Sequence, residues 1–147
     1  MILIGLGTNL GERENNLITA KKRLVERTAS TINRESTIEE TRAIVPEKAP
    51  ASWDTPFLNQ IIAILCPAPP LVLLHHIKYI EQIMGRNSSE KWAPRIIDLD
   101  ILWFHGVHYS HPELTIPHPE IKNRPFITDA IESVCPEILD KIYAHHL

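Results

Sequence analysis

Residues Arg95-Ile96-Ile97-Asp98-Leu99-Asp100-Ile101-Leu102-Trp103-Phe104 form a run apolar enough for an interior strand, interrupted by two acids. Side chains alternate along a strand, so Asp98 and Asp100 project from one face, together with Ile96 and Leu102. Their Cα atoms stand about 7 Å apart, where two charges repel by about 2 kcal/mol at an effective dielectric of about 20. Both also lose hydration in such a strand. A folded chain accepts this only with a compensating cation: an arginine, a protonated partner or a metal ion. Carboxylate oxygens with few other protein ligands suit Mg²⁺, which keeps waters and takes substrate phosphates. Two carboxylates on one edge can hold two such ions and bridge them. The competing reading pairs both acids with Arg95 or other bases at the sheet edge, and the spacing alone weighs the two equally. A calcium loop is excluded, because its glycine and glutamate do not follow.

Upstream of this strand, Leu73, Ile77, Ile80 and Met84 fall at i, i+4, i+7 and i+11, one face of a helix in the stretch from Pro70 to Gly85. Gly85 stands where a left-handed cap ends such a helix. Before it, "FLNQIIAIL" (57–65) reads as a strand, stopped by Pro67, Pro69 and Pro70. Residues 45–56 hold three prolines and no clear period, a loop long enough to be a lid or binding loop. "MILIGL" (1–6) reads as the first strand, with a glycine-punctuated turn after it. Leu17, Ala20, Leu24 and Val25 predict a helix over 13–27, its acids early and its bases late, as the helix dipole prefers. A second strand is expected in "STIEETRAI" from Ser36, and a short hairpin partner in "GVHYS" after the turn at His105-Gly106. A proline-bearing loop, "IPHPEIKNRPF", precedes a last helix in "FITDAIESV", stopped near Pro136. The order β-α-β-loop-β-α-β-β-α does not alternate strictly. It favours an α+β fold with antiparallel neighbours over a doubly wound parallel sheet.

With 147 residues, 44% hydrophobic and 22% charged, the chain suits one domain, 1–147, with a sizeable core. No apolar run is long enough to cross a bilayer, and the N-terminus lacks the basic region and cleavage site of a signal peptide. A cytoplasmic protein beginning at Met1 is expected, with Cys66 and Cys135 as reduced thiols. The net charge of −3 argues against a broad nucleic-acid surface. A compact anion needs only a local cluster of cations. Arg86, Lys91 and Arg95 surround Trp92 just before the acids, and Lys122 and Arg124 follow His118 in the later loop. Guanidinium forks suit phosphate, so acids for a metal beside arginines make a nucleoside-triphosphate site plausible.

Other motifs weigh less. "GLGTNLG" is neither of the standard phosphate-binding glycine patterns, and a tight strand-to-helix turn is the favoured reading. His105, His108 and His111 read as surface residues, and His75 and His76 as packing or solvent-facing groups on a leucine-rich helix. His118, between two prolines, is the better functional candidate. Phe57 and Phe126 could sandwich a flat heterocycle, although ordinary packing accounts for them equally. Asn59, on the strand face of Phe57, could read such a ring's hydrogen-bonding edge.

Taken in order and spacing, "GLGTNLG", "FLNQ", "IEQIMGR", "KWAPRIIDLDILWF" and "IPHPEIKNRPF" resemble the 6-hydroxymethyl-7,8-dihydropterin pyrophosphokinase family of folate biosynthesis over nearly the whole chain. The resemblance implies a ferredoxin-like α/β sandwich with a mainly antiparallel sheet and helices on its faces. It implies transfer of the β,γ-pyrophosphate of ATP to the pterin hydroxymethyl oxygen, releasing AMP, with two Mg²⁺ ions. Asp98 and Asp100 would be the metal ligands and, with Arg86 and Arg95, the catalytic group. Glu81, Arg86, Trp92, Arg95, Ile101, His118 and Arg124 would contact ATP or its phosphates. Thr41, Phe57, Asn59, Trp92, Asp98 and Phe126 would contact the pterin. ATP and the pterin are the expected partners, without nucleic acid or membrane, and the chain is expected to act as a monomer. The sequence departs from the family pattern at Arg42, where a proline is common, at Lys78, where a glutamine is common, and in the less basic loop before Trp92. Two rival classes remain: a metal-dependent nucleotide hydrolase, which would consume ATP without pterin, and a non-enzymatic binding module indifferent to loss of the two acids.

Overall fold

The structure, a computed structural model, describes residues 1–85 and 92–144. Its elements are β1 (Ile2–Thr8), α1 (Arg13–Thr28), β2 (Thr31–Glu35), β3 (Glu39–Thr41), β4 (Phe57–Leu65), α2 (Pro70–Ile83), β5 (Asp98–Phe104), β6 (Tyr109–His111), β7 (Leu114–Ile116), α3 (Pro125–Val134) and α4 (Pro136–Ala144). Short 3₁₀ turns occur at Ala51–Trp53 and Ile121–Asn123.

The main sheet runs β2-β4-β1-β5, with β3 also on β4, and each pairing is antiparallel. Because β2 and β3 pair with successive parts of β4, they act as one interrupted edge strand. The path is then β-α-β-β-α-β, the ferredoxin-like arrangement. Ser36 makes the interruption possible. Its N–H donates to Ile61 O at 2.8 Å, its Oγ accepts from Ile61 N at 2.9 Å, and its carbonyl accepts from Gln60 Nε2 at 2.9 Å. The strand expected from Ser36 is therefore shorter, Glu39–Thr41, and most of the edge pairing comes from Thr31–Glu35. That segment carries no apolar alternation because it is an edge and largely exposed.

Each face of the sheet has its own core. Ile2, Ile4, Ile62, Ile64, Leu99 and Ile101 point toward α1 and α2, where they meet Leu17, Leu24, Leu73 and Ile77. Leu3, Ile61, Ala63, Leu102 and Trp103 point toward α3 and α4, against Ile127, Ile131, Ile138 and Ile142. Pro136 does not simply stop α3: it starts α4, since proline at a first helical position forgoes only an N–H that has no helical partner anyway. The segment 109–111 does not return to β5. It pairs with β7 in a separate two-stranded sheet. Cys66 and Cys135 are both buried and unpaired.

One irregularity decides which side chains share a face. Ile4 pairs with Ile101 and Leu3 with Trp103, so Leu102 is an extra residue in β5. Strict alternation would send Trp103 toward α1 and α2 and Phe104 to the other face. With the bulge, Leu102 and Trp103 both join the α3–α4 core and Phe104 crosses to the α1–α2 core.

Candidate active site

On the α3 side the sheet is only partly covered, and a cavity of about 560 Å³ opens there. Its floor is cut by two glycines. In β1, Ile2, Ile4 and Leu6 fill the opposite core, while Gly5 and Gly7 face the cavity. A Cβ at Gly7 would stand 3.4 Å from Asn59 Oδ1 and 3.6 Å from Phe57 Cδ1. The missing side chains thus leave a flat backbone surface beside an amide and an aromatic ring. In "GLGTNLG" only Gly11, with φ of 75°, serves a turn.

Phe57 enters from the start of β4 and Phe126 from the first turn of α3. Asn59 Nδ2 donates to Thr41 Oγ1 at 2.6 Å and to Glu39 O at 3.4 Å. These bonds fix the amide plane and aim Oδ1 over Gly7, where it can accept from a ring N–H. Trp92 lines the cavity with φ of 73°, a left-handed conformation costly for a bulky residue.

Asp98 and Asp100 form the far wall with Leu102. Asp98 Oδ2 lies 3.3 Å from Arg95 Nη1, and Asp100 Oδ1 lies 3.9 Å from His118 Nε2. The acids are thus partly matched by the arginine and imidazole of the competing reading. Their side chains nevertheless remain 25% and 42% exposed, and an ionised carboxylate has about four lone-pair sites. Both can ligate an ion while keeping these contacts. Among the described residues no group of three His, Cys, Asp or Glu side chains is arranged to cage a metal. An ion held by two oxygen donors would complete its shell with water and phosphate oxygens, as Mg²⁺ does. The donor set therefore fits Mg²⁺.

The bulge in β5 also places His118, whose backbone N–H donates to Leu102 O at 3.0 Å. His118 Nδ1 accepts the N–H of Glu120 at 3.1 Å, so the proton of the neutral ring sits on Nε2, toward Asp100. Burial holds the His118 pKa below its ordinary value, and Arg124 adds to this against the opposing pull of Glu120 and Asp98. The ring is then a neutral N–H donor at physiological pH. Arg124 Nε itself lies 3.7 Å from Glu120 Oε2.

A residue that the sequence reading passed over organises this end. Asn9, 1% exposed, donates its N–H to Arg95 O at 3.0 Å, accepts from Arg95 N at 2.7 Å through Oδ1, and donates from Nδ2 to Thr55 O at 3.0 Å. One buried amide ties the segment before Asp98 to the proline-rich loop. Its signal was available, since it lies inside "GLGTNLG", but that motif draws attention to its glycines.

Three expected ATP contacts, His118, Ile101 and Glu81, lie off the cavity walls, although His118 still reaches Asp100. Ile101 points into the α1–α2 core, which leaves only its backbone for a ligand. Glu81, on α2 and 4% exposed, accepts the N–H of Leu99 at 2.9 Å and so satisfies the outer edge of β5. Lys122 turns its ammonium over the Tyr143 ring at 5.1 Å. Arg86 and Lys91 lie outside the described residues.

The family described as 7,8-dihydro-6-hydroxymethylpterin-pyrophosphokinase matches residues 3–136. A "Folate synthesis bifunctional protein" of Chlamydia trachomatis is 36% identical over 137 residues, covering 92% of this chain and 30% of the relative. A "2-amino-4-hydroxy-6-hydroxymethyldihydropteridine pyrophosphokinase" of Bacillus subtilis is 33% identical over 135 residues, covering 92% of this chain and 78% of the relative. The chain thus spans about 30% of the length of the chlamydial bifunctional relatives it matches. Among solved structures, Plasmodium falciparum HPPK-DHPS superposes with a TM-score of 0.66 at 16% identity, over 92% of this chain and 41% of that one. At that identity the likeness concerns the fold.

Proposed function

This chain belongs to the 7,8-dihydro-6-hydroxymethylpterin-pyrophosphokinase family, and we propose that it transfers pyrophosphate from ATP to 6-hydroxymethyl-7,8-dihydropterin, in folate synthesis. The observation that carries this reading is that one cavity joins two unlike ends. Phe57, Phe126 and the Asn59–Thr41 pair suit a flat, hydrogen-bonding ring, and Asp98, Asp100, Arg95 and Arg124 suit a metal-bound polyphosphate.

In this reading the pterin ring lies over Gly7 between the two phenylalanines, with Asn59 on its amide edge. Its hydroxymethyl group then points toward the acids. The hydroxyl oxygen forms a bond to the β-phosphorus, the bond from that phosphorus to the α,β-bridging oxygen breaks, AMP leaves with that oxygen, and the hydroxyl proton is released. Asp98 and Asp100 would hold the two Mg²⁺ ions; when bound, these supply the charge that neutralises and orients the triphosphate. Arg95 and Arg124 bind phosphate oxygens, and the Nε2–H of His118 donates to another. The proline loop tied by Asn9 closes over the substrates and excludes water. Such transfer depends on positioning and charge stabilisation. A monomer suffices for this reading, because one chain supplies both ends of the cavity, and the chemistry suits the cytoplasm.

The test is product analysis of the purified chain with ATP, Mg²⁺ and the pterin. AMP and a pterin diphosphate are expected in equal amounts, lost on chelation and restored by Mg²⁺. ADP as the product, or phosphate release without pterin, would replace the reading with a kinase or a hydrolase.

A further inference from the structure

The cations around the cavity are not equivalent. Arg95 contacts Asp98 and Arg124 contacts Glu120. Arg42 also lines the cavity, is exposed, and makes no hydrogen bond or ion pair among the described residues. It follows Thr41, whose hydroxyl accepts from Asn59. Its guanidinium therefore starts from the pterin end of the cavity, not the phosphate end.

We propose that Arg42 is a substrate-binding residue that reads the O4/N5 side of the pterin ring with its guanidinium fork. The inference rests on the proposed function and is selected by donor and acceptor chemistry. A ring whose amide edge meets Asn59, and whose hydroxymethyl group points to the acids, has two long sides. One presents the carbonyl O4 and the imine N5, both acceptors. The other presents N1 and N8–H, an acceptor and a donor. Guanidinium has only donors, so it matches the first side and is mismatched with the second. The O4/N5 pair has the same geometry as the O6/N7 pair of guanine, which arginine binds with two parallel hydrogen bonds. O4 also adjoins the amide edge held by Asn59, so a residue next to Thr41 starts from the correct corner. An unpaired guanidinium needs to break no ion pair before it binds.

The test compares binding of 6-hydroxymethyl-7,8-dihydropterin with its 5-deaza counterpart, in which a C–H replaces N5. The full chain is saturated with Mg²⁺ and a nonhydrolysable ATP analogue, and isothermal titration calorimetry reports the dissociation constants. The unsubstituted protein is expected to prefer the pterin by about tenfold or more. Arg42→Gln should bind both ligands equally, and Arg42→Lys, which keeps the charge without the fork, should retain only part of the preference. Circular dichroism checks folding, which an exposed, unbonded side chain should not disturb. An unchanged preference in Arg42→Gln, or no preference in the unsubstituted protein, would overturn the inference while leaving the proposed reaction standing. Absence of pterin binding by every protein, with no AMP formed, would overturn both.

Discussion

The two faces of the sheet are made by the same strands and behave as opposites. Toward α1 and α2, β1 presents Ile2, Ile4 and Leu6, and the face is sealed. Toward α3 and α4, the same strand presents Leu3, then Gly5 and Gly7, so the core stops partway and a cavity begins. Stability and chemistry are thus divided by strand alternation. Residues on one face can be tuned for close packing while their immediate neighbours in sequence remain free for binding.

The sharpest break between the faces should come from Asp100→Ala. Turnover is expected to fall by at least about a thousandfold, because a metal ligand contributes several kcal/mol of charge stabilisation. Stability by urea unfolding should stay constant or rise slightly, since a like charge is removed from beside Asp98. Near-normal turnover would return the acids to a salt-bridging role. Ile62→Ala tests the sealed face. It truncates a side chain that is 0% exposed and should cost about 2–5 kcal/mol in urea unfolding, while kcat of the protein that remains folded is unaltered. A matching loss of kcat would mean that the faces are coupled. The smallest effect is expected at the boundary. In Gly7→Ala the new methyl sits 3.4 Å from Asn59 Oδ1, so pterin affinity should weaken by about tenfold while stability stays the same or improves by about 0.4–1 kcal/mol. If affinity is unaffected, the ring does not lie over Gly7.

The regular parts of this division were legible in the sequence. Leu17, Ala20 and Leu24 in α1, and Leu73, Ile77 and Ile80 in α2, repeat at the helical period because one helix face is buried. Strand β4 was equally plain, because most of it is buried on both faces and its run is continuous. Elements with weak local signals were lost: β2 is a polar edge strand, β7 has only Leu114–Ile116, and α4 hides behind a proline that reads as a stop.

For the candidate site, the residue types and their spacing were readable. Asp98 and Asp100 share a face of their strand by alternation, and so do Phe57 and Asn59 of theirs, because a period of two operates within a few residues. Local sequence did not reveal that Gly5 and Gly7 form a floor, that Asn9 fastens Arg95 to the proline loop, that a bulge at Leu102 holds His118 beside Asp100, or that Glu81 is spent on the edge of β5.

The sequence by itself determined the periods of burial, the breaks between elements and the pair of acids on one strand face, because each follows from the backbone geometry of a few adjacent residues. Only the tertiary structure decided the strand order, the crossing of Phe104 to the other core and the cavity that brings β1, β4, β5 and α3 together. Those depend on hydrogen bonds and contacts between residues far apart in the chain, and their partners carry no mark of one another in the sequence.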